Sequence, residues 1–119
     1  MTDKIEKGTA GEELARRYLE QRGFTLITRN YRCRVGELDL IMRDGDHLVF
    51  VEVRSRRDSQ YGTPAESITP AKQRRIIRAA AYYLQKKRLD LPCRFDVIAI
   101  TYPDGQAALE WIKDAFQAF

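Results

Sequence analysis

Apolar positions along the chain change period several times. Leu14, Ala15, Tyr18 and Leu19 recur at helical spacing within residues 9–22, and Gly23 follows as a stop signal. Gly8 and Gly11, one turn apart near the helix start, would let another backbone approach closely. From Phe24 the pattern becomes that of strands: Phe24–Arg34, Val35–Met42 and Leu48–Arg54. The link Arg43-Asp44-Gly45-Asp46-His47 holds Asp-Gly, a strong short-range hairpin cue. Residues 55–69 read as a polar loop with Arg56, Arg57, Gly62 and Pro64, long enough to carry function. Thr69 is a good N-cap and Pro70 suits the first turn of a second helix reaching about Arg88, with Ile76, Ile77, Ala80 and Leu84 as its buried stripe. Pro92 precedes a fourth strand, Cys93–Ile100, and Tyr102-Pro103-Asp104-Gly105 reads as a turn. A short extended stretch at Ala107–Leu109 then leads into a final short helix, Glu110–Ala118.

The predicted order is α-β-β-β-α-β with a short C-terminal helix. Three strands form an antiparallel meander, and the fourth joins after a helical crossover. This is an α/β domain, one mixed β-sheet flanked by helices, spanning 1–119.

Two of the strands carry charge where burial is expected: Gly36-Glu37-Leu38-Asp39-Leu40-Ile41 and Val49-Phe50-Val51-Glu52-Val53-Arg54. Burying a carboxylate is costly unless a cation or strong donors compensate it. Alternation puts Glu37 and Asp39 on one face of their strand and Glu52 and Arg54 on one face of the next. If Asp44-Gly45 is a two-residue turn, Arg43 pairs with Asp46, Glu37 lies opposite Glu52, and Asp39 is diagonal to it. Three like charges would then converge, an arrangement that destabilises a hairpin until a cation binds. Oxygen ligands without histidine or cysteine favour a hard ion such as Mg2+ or Mn2+. Such an ion serves phosphodiester hydrolysis, and Arg54, which does not readily give up a proton, would orient phosphate or stabilise charge. Pattern alone leaves a second reading open, in which these acids line a solvated outer face and Glu52–Arg54 belongs to a surface ion-pair ladder. Read alone, Glu12 is an exposed helical glutamate, Gln73 a capping or surface amide, and Lys72, Arg74, Arg75 and Arg78 a solvated face.

The net charge of +4 is uneven: the first 95 residues carry +7 and residues 96–119 carry −3. A basic body suits a polyanion, and Arg32, Arg34, Arg56, Arg57, Lys72, Arg74, Arg75 and Arg78 are its candidate nucleic-acid contacts. His47 is the single histidine and follows Asp46 at a turn, which speaks against chemistry built on a histidine base. Cys33 and Cys93 show no metal or redox spacing and are expected to be buried and reduced. No apolar signal region opens the chain and no run approaches the ~20 apolar residues of a membrane span, so a cytoplasmic location is expected.

These residues resemble the PD-(D/E)xK nuclease superfamily. Asp39 matches its first strand acid, and Glu52-Val53-Arg54 its second element, with Arg54 where the superfamily prefers lysine. More closely, the whole chain resembles the YraN family of bacterial proteins. The resemblance rests on Gly8-x-x-Gly11-Glu12, Asn30-Tyr31-Arg32, Gly36-Glu37-Leu38-Asp39-Leu40-Ile41, Phe50-Val51-Glu52-Val53-Arg54, Lys72-Gln73 and Arg94-Phe95-Asp96-Val97-Ile98-Ala99-Ile100. That family is similar in fold to archaeal Holliday-junction resolvases. The resemblance implies a restriction-endonuclease-like fold, with Asp39 and Glu52 as principal metal ligands, Glu12 as a first-helix acid and Gln73 as an auxiliary polar residue. It leaves Glu37 as an additional acid, and it implies a homodimer.

Together the residues and the resemblance lead to an expected Mg2+- or Mn2+-dependent endonuclease-like protein acting on double-stranded or branched DNA. The competing classes are a non-catalytic nucleic-acid-binding module of the same fold and a small protein-interaction domain.

Overall fold

The computed structural model describes residues 2–56 and 68–118, with side chains described from Ala10 onward. The expected loop residues Arg57, Gly62 and Pro64 lie outside the described residues. The elements are α1 (Thr2–Glu20), β1 (Thr25–Cys33), β2 (Gly36–Asp44), β3 (His47–Arg56), α2 (Pro70–Lys87), β4 (Cys93–Thr101) and β5 (Ala108–Phe116). They form one five-stranded sheet in the order β1-β2-β3-β4-β5. Only β3 and β4 run parallel, as the α2 crossover between them requires. No helix among the described residues is long and apolar enough to cross a membrane.

Strand alternation splits the core into two layers. Ile41, Leu48, Phe50, Phe95 and Val97 pack against Ile76, Ala79, Ala80 and Tyr83 of α2. Leu40, Met42, Val49, Val51, Ile98 and Ile100 pack against Ala15 and Leu19 of α1, with Phe24. Phe50 is 2 % exposed and stacks on Phe95 at 5.5 Å. Its removal to alanine would cost about 3–5 kcal/mol. Helix α2 begins as expected: the Thr69 hydroxyl accepts the Lys72 N–H at 3.2 Å.

Several expectations need correction. The β2–β3 hairpin pairs Asp44 with His47, so its two-residue turn is Gly45-Asp46. Gly45 takes φ +63° at the first central position, which glycine adopts without strain. In α1, Leu14 is exposed while Ala15 and Leu19 are buried. In α2, Ala79 and Tyr83 are buried with Ile76 and Ala80, and Ile77 and Leu84 sit at the margin of the layer. Gly11 is buried against the side chains of Val53 and Ile100 at ordinary contact distance, not against another backbone. Cys93 is exposed and Cys33 half-buried, and both are free thiols.

The largest correction is β5, a strand where a helix is expected. Its register against β4 shifts opposite Asp96, where Asp114 takes φ +54°. Leu109 and Trp111 pack in the α1 layer and Ile112 and Phe116 in the α2 layer, as simple alternation requires, and at the irregularity Ala115 joins the α2 layer as well. Taken from both faces together, Leu109, Ile112 and Phe116 fall at i, i+3 and i+7 in sequence, which mimics a helix. Pairing wins because β4 is buried from Phe95 to Ile100 and its outer edge would otherwise lack partners.

Candidate functional site

The site grows from a fork in the sheet. The β2–β3 ladder ends at Leu40↔Val51. Beyond that point β2 runs on with β1 through Tyr31↔Leu38 to Cys33↔Gly36, while β3 runs on with β4 from Glu52↔Val97 to Arg56↔Thr101. Leu38 packs in the α2 layer and Leu40 in the α1 layer, although simple alternation would put both on one face. The strand therefore rotates at Asp39. Its register neighbour in β1, Asn30, takes φ +53°, a conformation that asparagine tolerates better than most residues.

The fork leaves backbone groups without ladder partners, and acidic side chains fill the gap. The Val53 N–H donates to Asp39 Oδ2 at 2.8 Å. One step beyond the last ladder pair, Asp39 comes level with Glu52. This corrects the expected pairing of Glu37 with Glu52. The Asp39 and Glu52 side chains lie within hydrogen-bonding reach of each other. Glu52 is only 8 % exposed. Burial, then the Asp39 charge, raises its pKa well above the usual range, and the partial compensation from Arg54 does not reverse this. Burial raises Asp39 as well, against the pull of the Val53 N–H and Arg54.

A cleft of about 600 Å³ opens over this pair. Gly11 and Glu12 reach it from α1, Gly36 and Glu37 from β2, Arg54 from β3, and Lys72 and Arg75 from α2. Burial and the nearby Asp39 raise the Glu12 pKa, while Asn30 and Arg29 oppose the rise. Glu37 stands at the rim, with its side chain 64 % exposed and 3.4 Å from the Arg32 Nε.

Cations form the other wall. Arg54 comes within 4.0 Å of Glu52, and its Nε is buried with no hydrogen-bond partner among the described residues. Burial, then the neighbouring Arg54, lowers the Lys72 pKa, with Glu52 opposing. Read alone, Lys72 belongs to a solvated helix face, but the fold turns it into the acid cleft. One signal was available: the first turn of α2 holds a lysine and no acid, against the preference of the helix dipole.

Other expected contacts are scattered. Gln73 does not line the cleft; its Nε2 donates to the Ile68 carbonyl at 3.2 Å. Arg74 and Arg78 are exposed on α2, Arg32 and Arg34 are exposed where β1 turns into β2, and Arg56 is half-buried at the end of β3. Arg57 lies outside the described residues. Among the described residues, no group of three or more His, Cys, Asp and Glu side chains is assembled as a ready metal-ligand set. Two adjacent buried carboxyls, each raised by its surroundings, nonetheless match the donor chemistry of a hard divalent ion.

A second polar centre, which sequence reading missed, sits between β4 and β5. Asp96 is fully buried and accepts from Arg94 Nε at 2.9 Å, Trp111 Nε1 at 2.9 Å and the Asp114 N–H at 3.0 Å. Arg94 also reaches Asp44 at 3.1 Å. Every partner is provided within the fold, so this centre holds β5 in register and offers no open position.

Residues 11–100 match the sequence model of a family described as uncharacterised protein family UPF0102. A UPF0102 protein of Syntrophus aciditrophicus (strain SB) is 48% identical over 118 residues, covering 98% of this chain and 93% of its own. One from Nitrosococcus oceani is 51% identical over 114 residues, covering 94% and 92%. One from Nitrosomonas eutropha is 50% identical over 116 residues, covering 98% and 97%. The chain belongs to the uncharacterised protein family UPF0102, the YraN family that its motifs resemble.

Proposed function

We propose that the protein is a divalent-metal-dependent endonuclease-like protein of the PD-(D/E)xK kind, acting on double-stranded or branched DNA. The observation that carries this reading is the buried Asp39–Glu52 pair at the fork of β2 and β3, facing a wall of Arg54, Lys72 and Arg75. Two carboxyls whose ionisation is opposed by burial, set beside cations that repel one another, describe a site suited to a metal ion and a phosphate together.

In this proposal Asp39 and Glu52 hold the ion and Glu12 assists from α1. Mg2+ or Mn2+, when bound, supplies Lewis-acid charge for phosphodiester hydrolysis. The Val53 N–H fixes the Asp39 carboxylate, leaving its second oxygen for the cleft. Arg54 offers its buried Nε–H to a phosphate oxygen, a charge-assisted bond that discharges its unpaired donor. Lys72 and Arg75 hold the same anion from α2. Gln73 acts at a distance by fixing the chain that enters the helix. A homodimer would bring two such clefts to one branched substrate.

One observation favours a second reading. Arg54 occupies the position where the superfamily prefers lysine, and a guanidinium does not exchange protons near neutral pH. A non-catalytic nucleic-acid-binding protein would keep this site for phosphate alone.

The experiment is cleavage of an end-labelled four-way junction and its linear arms with Mg2+ or Mn2+. The nuclease reading expects metal-dependent cutting that Asp39→Ala and Glu52→Ala abolish while DNA retention persists. Retention without cutting under either metal selects the binding module. Neither retention nor cutting refutes both.

A further inference from the structure

Beyond Leu40 the β1–β2 pair continues without β3 beside it, as a two-stranded ribbon ending in a two-residue turn, Arg34-Val35. We infer that this ribbon is a groove-reading arm for B-form duplex DNA, inserted in the major groove beside the phosphate held in the cleft. The inference rests on the nuclease-like reading of the cleft and adds how the duplex is seated.

Three observations support it. Among the described residues, the ribbon is backed from the α2 side. Leu38 is 1 % exposed under α2, Tyr31 meets the Tyr83 ring edge-on at 5.0 Å, and Gly36 fits so closely that a Cβ there would lie 3.3 Å from the Arg75 carbonyl. The arm is therefore held rigidly, which reduces the entropy lost on docking. Its tip is chemically exposed: Val35 is 41 % accessible, Arg34 is exposed beside it, and the Arg32 side chain is 80 % exposed. In a major groove the same residues have partners, since arginine reads guanine edges and an apolar side chain meets the thymine methyl.

The dimensions agree. The major groove of B-DNA is about 12 Å wide and admits a two-stranded ribbon. Three residue steps of extended chain lead from Gly36 to Asp39, about 10 Å. A phosphate at the acid pair would then border the groove that the tip occupies. Duplex RNA offers no such seat, because its A-form major groove is too deep and narrow for side chains to read. Arg75, whose backbone supports the ribbon, also lines the cleft, so one residue of α2 joins arm and cleft.

The test measures binding of full-length Asp39→Asn protein, chosen to stop cutting, to one duplex sequence made as DNA and as RNA. The expected result is a DNA preference of about tenfold. Methyl green, which fills the major groove, should displace the protein, and netropsin, which fills the minor groove, should not. Arg34→Ala with Val35→Ser should remove the preference while the melting temperature stays unchanged. Equal affinity for both duplexes, displacement by netropsin alone, or unchanged binding by the tip variant overturns the arm. So does a tip variant that only dissolves a protein dimer. Groove-dependent binding without any cleavage by the wild-type chain leaves the arm standing and refutes the nuclease chemistry. Failure to bind either duplex refutes the arm, whatever the cleavage assay shows.

Discussion

The backbone N–H of Val53 donates to the carboxylate of Asp39 across the gap where β2 and β3 part. At 2.8 Å it takes the place of the ladder bond that the fork removes, and it fixes the acid that faces Glu52. Asp39→Asn keeps an oxygen acceptor and removes a charge from beside Glu52. In chelator this variant is expected to melt above wild type. Asp39→Ala leaves the Val53 N–H unpaired, a loss of about 1–3 kcal/mol, and is expected to melt below the Asn variant. Thermal melts of the three proteins in EDTA check the order, and an alanine variant more stable than the asparagine variant contradicts it.

Stability should fall as pH rises without metal. Asp39 and Glu52 lie above their ordinary values of 3.8 and 4.5 in the folded protein, so it binds more protons than the unfolded chain in that range. The loss begins as the unfolded carboxyls ionise and is complete above the raised folded values. Arg54 and Lys72 reduce the loss, and Glu12 and Glu37 add to it. Urea midpoints from acid to neutral pH, compared with an Asp39→Asn/Glu52→Gln double variant, isolate the pair. Parallel pH profiles for the two proteins would contradict this account.

Mn2+ should restore what ionisation removes. Saturating a site that exists only in the folded chain stabilises it by about 2.7 kcal/mol at a hundred times the Kd. The melting temperature at neutral pH should rise with Mn2+ in wild type and stay flat in the double variant. A rise of equal size in both would place the metal elsewhere.

Lys72→Met should weaken duplex binding across sequences and lower the slope of log K against log salt by about one. Arg74→Gln, on the exposed side of the helix, serves as a comparison for an ordinary surface charge. A Lys72→Met protein with unchanged slope would remove that side chain from phosphate contact.

Asp96→Ala should be among the most damaging single changes. It leaves Arg94, whose side chain is 10% exposed, with Asp44 alone, and deprives Trp111 and the Asp114 N–H of their acceptor. Removing one member of a buried ion pair costs about 3–5 kcal/mol, a large share of a domain's total stability of about 5–15 kcal/mol. A lowered urea midpoint checks this, with amide exchange expected to rise first along β5.

Local pattern determined much of this protein. Thr69-Pro70 announced α2, Asp-Gly the hairpin, and alternation the common face of Asp39, Glu52 and Arg54, because each is decided by a few bonds between near neighbours. A slip of two residues in the hairpin kept that parity, so the acids still converged although their partners changed. Tertiary structure decided the rest. Apolar residues on both faces of the last strand gave it a helical spacing that only pairing with β4 could resolve. The parting of β2 from β3, which turned an acidic ladder into a cleft and delivered Lys72 to it, depends on two strands preferring different neighbours. That preference is a competition between contacts far apart in sequence, and no window along the chain contains both sides of it.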